Sequence, residues 1–110
     1  MPKYPDAAAS RAYYAAFSAV SAWLTRQGKS LSKHSAVESA VHRDLVHAGL
    51  WPAGLGADYS RLRQARDVGD YAVMMHVTSD QAYESIDVAA RIIEAVHKLA
   101  PDDFPWPSDT

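Results

Sequence analysis

Apolar residues return at three- and four-residue spacing through four separate stretches of this chain, and each stretch is punctuated by a residue suited to begin or end a helix. That period belongs to helices that bury one stripe and expose the other, so the sequence predicts an all-α helical bundle. The first helix is predicted from an N-cap at Asp6 to a stop at Gly28, with Ala9, Tyr13, Ala16, Phe17, Val20 and Trp23 or Leu24 facing inward. A second runs from Ser32 or Ser35 to His47, with Ser35 and Glu38 spaced as a capping box and Val37, Val41 and Leu45 inside. Gly49 and Pro52 close it. The third spans about Ala57–Val68 on Tyr59, Leu62, Ala65 and Val68, with Gly69 weakening its end. The run YAVMMHV after it reads as a buried extended connector or short strand. The fourth carries a capping box at Thr78 and Gln81, followed by a stripe of Ala82, Ile86, Ala89, Ile93 and Val96. Residues 1–100 thus read as one helical domain and Pro101–Thr110 as a Pro-rich tail, laid on the body through Phe104 and Trp106.

Composition narrows the function classes. The absence of cysteine excludes disulfides and thiolate metal sites and fits a reducing cytoplasm. No signal-peptide pattern and no apolar run long enough for a membrane span is present, so a soluble cytoplasmic protein is expected. A net charge of −2 argues against electrostatic coating of nucleic acid. That total hides a polarity: seven basic residues face three acidic ones between Arg26 and Arg66, whereas two face nine from Asp67 onward. Such a division suits an anionic ligand or head-to-tail pairing, and equally a set of scattered solvated charges.

Five histidines lack ligand spacing, so no metal or other cofactor is expected. The serines lack a nucleophile elbow, and GLG in AGLGADY lacks the spacing and the strand of a phosphate loop. Asp67 and Asp70, three apart, share a helix side and suit salt bridges to Arg63 or Arg66 better than a carboxylate pair. What remains is YSRLRQARD, a helical stretch with Arg61, Arg63 and Arg66 on nearly one side. Arg63 and Asp67 are i, i+4 and Arg63 and Arg66 are i, i+3, so these three side chains can face one groove. Guanidinium forks match phosphate, and a carboxylate can orient them. Periodicity alone leaves two readings open, an ordinary intrahelical ion-pair row and an anion site.

Three segments in order, SRAYYAAFSAVSAWLTRQG, SKHSAVESAVHRDLVHAGL and LRQARDVGDY, with QAYESIDVAARIIEAV after them, resemble the HEPN family, in particular its small prokaryotic members. The likeness covers about Ala9–Leu99. It implies an up-and-down bundle of four to five helices that pairs into a homodimer around a cleft. It also implies a prokaryotic toxin–antitoxin or defence component acting on RNA or nucleotides, often as a metal-independent ribonuclease beside a nucleotidyltransferase partner. The family's catalytic motif is an Arg followed, after four to six residues, by a His near the end of the third helix. Arg63 matches the Arg, but Val68, Gly69 and Asp70 stand where the His is expected, and His76 is too far along. The most similar subgroup carries an acidic residue four after the Arg, as Asp67 is here. On this resemblance Arg63, Asp67 and His34 are the candidate catalytic residues. His34 of SKHS stands in as the proton-transfer group, or else caps the second helix. Arg63, Arg66, Lys33, Asp70 and Tyr71 are the candidate substrate-binding residues. Tyr13 and Tyr14 are expected to pack between helices more than to stack on bases. The alternative function is a non-catalytic helical module that binds a nucleotidyltransferase.

Overall fold

The computed structural model describes residues 5–71 and 77–100, with only the backbone described for 68–71. All of its regular structure is helical: α1 (Pro5–Arg26), α2 (His34–Ala40, continued as a wider π-helical stretch over Val41–Val46), α3 (Ala53–Tyr71) and α4 (Ser79–Leu99). Helix α1 is the central element, packed against both α3 and α4, while α2 lies on α1 and its π-helical continuation on α3. This is the expected all-α bundle.

The two glycine stops are where the sequence puts them. Gly28 and Gly49 both adopt positive φ, +85° and +83°, which an L side chain rarely tolerates. After the first turn Lys29 N–H donates to the Leu24 carbonyl, and after the second Leu50 and Trp51 N–H both donate to Leu45. The capping box of α4 is formed in both directions, Thr78 N–H to Gln81 Oε1 at 2.9 Å and Gln81 N–H to Thr78 Oγ1 at 3.1 Å.

Other boundaries differ, each for a physical reason. Helix α1 begins at Pro5, so Asp6 lies in its first turn, and its carboxylate accepts the Val77 N–H at 2.7 Å, which ties the start of α1 to the segment before α4. Helix α2 begins at His34 after an extended Lys33, with no side-chain cap. The expected Ser35–Glu38 box does not form because Glu38 is drawn to a guanidinium on α3, and a charged partner outweighs a neutral N–H. Helix α3 starts four residues earlier than expected, just after Pro52, and runs through Gly69 to Tyr71. A helical glycine costs about 1 kcal/mol, less than a stop requires. The predicted connector falls largely on residues 72–76, outside the described set, although Val77 is buried. The tail Pro101–Thr110 and the Val68 side chain lie outside it too.

The core is built from Tyr13, Val20, Leu24, Val37, Val41, Leu45, Tyr59, Leu62, Ile92 and Val96. On α4 the inner stripe is Ala82, Ser85, Val88, Ala89, Ile92 and Val96. The predicted Ile86 instead is 47% exposed and Ile93 is half-buried. Stripes one position apart differ by 100° on a helix, and the pattern AYESIDVAARII is apolar enough to support either.

Candidate functional site

Three helices bring polar groups to one place beside the core. From α1 come Tyr13, Tyr14 and Phe17, from α2 His34 and Glu38, and from α3 Tyr59, Arg63, Arg66 and Asp67. The i, i+4 spacing of His34 and Glu38, and of Tyr59 and Arg63, puts each pair on one helix face. The same argument separates Arg61: two helical positions from Arg63 is a 200° turn, so the three arginines do not share a side. Arg61 pairs with Asp58 and lines a cavity of about 300 Å³ between α3 and α4, with Gln81, Glu84, Ser85 and Val88.

Arg63 Nη1 donates to Glu38 Oε1 at 2.6 Å, and both side chains are about one quarter exposed, 28% and 25%. Arg63 Nε is buried with no hydrogen-bond partner among the described residues. The charged bond to Glu38 holds the Arg63 pKa above its ordinary value. The Arg66 side chain is only 9% exposed. Its Nη1 donates to Asp67 Oδ1 at 2.8 Å and its Nη2 to the Tyr14 hydroxyl at 2.7 Å. The guanidinium also sits 5.6 Å from the Tyr13 ring centre and 5.3 Å from that of Tyr14, within cation–π range. Of the two bridges open to Asp67 the one to Arg66 forms, and Arg63 pairs with Glu38 of α2.

His34 is half-buried against α1, stacked on Phe17 at 4.5 Å between ring centres, with Tyr13 and Tyr14 at 5.5 and 5.7 Å. Its Nδ1 is 2.7 Å from the Tyr13 hydroxyl. Burial first, then the charges of Arg66 and Arg63, press its pKa below the usual histidine value, and Asp67 offsets part of this. The ring is therefore neutral at pH 7. Burial raises the pKa of Tyr13 and of Tyr59, so both phenols keep their protons.

The structure brings Arg63, Arg66, Asp67 and His34 into one cluster. Lys33 precedes His34 and is exposed, and its described hydrogen bond is made by its carbonyl, which accepts from Val37 N–H. The side chains of Asp70 and Tyr71, and all of His76, lie outside the described residues. Two members escaped the sequence reading. Glu38 reads locally as half of a cap, though its i, i+4 relation to His34 puts it on the same helix face. Tyr14 reads as a packing residue beside Tyr13. Tyr13 is buried as expected, but Tyr14 is 40% exposed and bonded to Arg66.

Two guanidiniums, a neutral imidazole and an exposed phenol form a donor-rich surface, partly balanced by Glu38 and Asp67. Such a surface can hold a phosphate and stack a planar ring. Among the described residues no helix is long and apolar enough to cross a membrane. No solved structure matches the chain. It is 37% identical over 95 residues to a UPF0332 protein of Thermotoga maritima, a match covering 86% of this chain and 72% of that protein. The family model for the HEPN domain matches residues 3–99, and on that match, over this helical bundle, the chain belongs to the HEPN domain family.

Proposed function

We propose that this protein is a component of a prokaryotic toxin–antitoxin or defence system that engages RNA or a nucleotide through its phosphate, at the cleft of Arg63 and Arg66 in a homodimer. The observation that carries the reading is the Arg66 side chain, 9% exposed and fixed by Tyr14 and Asp67 beside a second arginine. Burying a guanidinium is costly unless it is paired and useful. Arginine supplies a planar donor fork for phosphate, and the exposed ring of Tyr14 supplies a stacking face for a base. Support for pairing comes from α4, where Tyr83 and Ile86 are each 47% exposed, an apolar strip suited to a second copy. In an RNA reaction the arginines would stabilise phosphate charge while the 2′-hydroxyl attacks, with His34 the imidazole at hand.

The test measures RNA and nucleotide binding by the purified protein in EDTA, with cleavage followed in the same samples, beside Arg63→Ala and Arg66→Ala. Wild-type binding, lost in variants that stay folded and dimeric, is the expected result. Full binding by a folded Arg63→Ala protein overturns the assignment.

A second reading, a non-catalytic module that binds a nucleotidyltransferase, is favoured by one observation: Arg63 and Arg66 already hold carboxylates of their own chain. A stoichiometric complex with a nucleotidyltransferase, formed without RNA binding or cleavage, decides for it.

A further inference from the structure

The hydrogen bond between Tyr13 and His34 engages Nδ1 and leaves Nε2 as the imidazole nitrogen without a described partner. Tyr13 is fully buried, and its hydroxyl lies 2.7 Å from His34 Nδ1, with the Tyr59 hydroxyl as its other polar neighbour. A buried phenolic proton needs an acceptor. If Tyr13 donates to Nδ1, the phenol proton and the Nδ1 lone pair are both satisfied. In that direction the Tyr13 oxygen also stays open to the neighbouring Tyr59 hydroxyl, whereas if the bond ran the other way Tyr13 would have to donate to the Tyr59 oxygen, and the buried Tyr59 proton, with no other described acceptor, would be stranded. Only the first direction leaves no further stranded proton. A neutral ring whose Nδ1 accepts carries its hydrogen on Nε2.

We infer that Tyr13 is a positioning residue that locks His34 as the Nε2–H tautomer, so that His34 serves the cleft as a neutral hydrogen-bond donor to a phosphate oxygen and not as a proton acceptor. This rests on the phosphate reading of the cleft proposed above and deepens it by giving His34 its role. The surrounding charges agree. Arg63 and Arg66 on α3 oppose a third positive charge, while Asp67 on α3 favours one and Tyr13 and Tyr14 on α1 are uncharged. Glu38, on His34's own helix, is committed to Arg63 at 2.6 Å. A neutral donor beside two guanidiniums adds a hydrogen bond to an anion without adding repulsion between cations. As a base the ring would have to offer Nε2 as a lone pair, which requires the Tyr13 hydrogen bond to reverse and leaves the buried Tyr59 proton without an acceptor. The site is therefore built to hold a phosphodiester or phosphomonoester more than to deprotonate a 2′-hydroxyl.

The test reads the tautomer directly. Nitrogen-15 NMR of the imidazole distinguishes Nδ1–H from Nε2–H, and the same samples at pH 7.5 are titrated with inorganic phosphate. Wild type is expected to show the Nε2–H form alone. Tyr13→Phe, which keeps the ring and removes the hydroxyl, is expected to show a mixture of tautomers and a several-fold weaker phosphate affinity. His34→Ala should lose about tenfold, the effect of one hydrogen bond to a charged group in a partly solvated site. His34→Gln, whose amide presents a neutral donor near the position of Nε2, should recover most of that loss, and it keeps the test valid should Tyr13→Phe fold poorly. A wild-type ring found as Nδ1–H, or protonated at pH 7.5, overturns the inference whatever the protein binds. Undiminished phosphate affinity in His34→Ala overturns the donor role. Wild type that shows the Nε2–H form but binds no phosphate retires the phosphate reading of the cleft, and the ligand assigned here with it.

Discussion

Glu38→Gln tests whether the long-range ion pair between α2 and α3 contributes to stability. The pair is short, 2.6 Å, and its side chains are 28% and 25% exposed, between a surface bridge and a buried one. Exposed pairs contribute about 0–1 kcal/mol, whereas breaking a fully buried pair costs about 3–5 kcal/mol. At one-quarter exposure the loss of the carboxylate as a whole is worth about 2 kcal/mol. Glutamine keeps an acceptor oxygen and forfeits only the charge, which halves the figure to about 1 kcal/mol, a fall in melting temperature of roughly 4 °C for a domain of this size. The measurement is urea unfolding followed by circular dichroism on wild type, Glu38→Gln, Arg63→Met and the double variant. The expected coupling energy is about 1 kcal/mol, since each change removes the same interaction. A coupling below about 0.3 kcal/mol, the usual error of additivity, would refute the argument. Glu38 would then be an ordinary surface carboxylate that merely lies near Arg63.

Gly56→Ala should cost about 1–3 kcal/mol, because the new Cβ would lie 2.7 Å from Val46 Cγ2 and 3.2 Å from His42 Nδ1. Gly54→Ala, with open space around it, should instead stabilise by about 0.5 kcal/mol, and the same urea curves compare the two. Because the folded protein holds the His34 pKa below its unfolded value of about 6.5, the native state takes up this proton less readily than the unfolded chain. The stability linked to His34 is therefore complete above about pH 6.5 and declines as pH falls through and below it. Unfolding curves at pH 7.5 and 5.5 should show a smaller pH effect in His34→Gln than in wild type. An equal or larger effect would contradict the direction of the shift. Asp67→Asn removes the carboxylate that competes for Arg66, and phosphate titration should show binding tightened by about two- to fivefold, a modest gain because Asp67 is 45% exposed and screened.

What the sequence revealed depended on how far apart the interacting residues lie. The turns at Gly28 and Gly49 and the Thr78–Gln81 box involve partners within six residues, and all are legible. Ser35 and Glu38 carry the same spacing as Thr78 and Gln81, yet Glu38 bonds to a residue 25 positions away. Nothing local distinguishes the two boxes. The cluster was legible in part: the spacing of Arg63, Arg66 and Asp67 allows a bridge from Asp67 to either arginine, and the one to Arg66 forms, but nothing local pairs Arg63 with Glu38. Tyr14 lies one position from a core tyrosine, a 100° step that reaches the edge of the core and the Arg66 guanidinium together. The widened turn at Val41–Val46 packs close to Gly56 of α3, at a contact that no periodicity within α2 encodes.

Charge within the cluster constrains what the proposed cleft could take. Arg63 and Arg66 are matched by Glu38 and Asp67, and His34 is neutral, so an anion meets no large excess of positive charge. A ligand gains most by taking the place of the more exposed carboxylate. Asp67 is 45% exposed and is Arg66's neighbour in sequence, whereas Glu38 is 25% exposed and ties two helices together. Exchange at Asp67 leaves the frame of Glu38–Arg63, Tyr14–Arg66 and Tyr13–His34 standing, and so needs little reorganisation. It also means that phosphate alone binds weakly, since it replaces one anion by another. A ligand with a planar base gains further from the exposed ring of Tyr14, by about 1–3 kcal/mol for a stacked base. Under the proposed reading, then, the cleft prefers an RNA segment or a nucleotide over a free phosphate, and Tyr14 carries that preference.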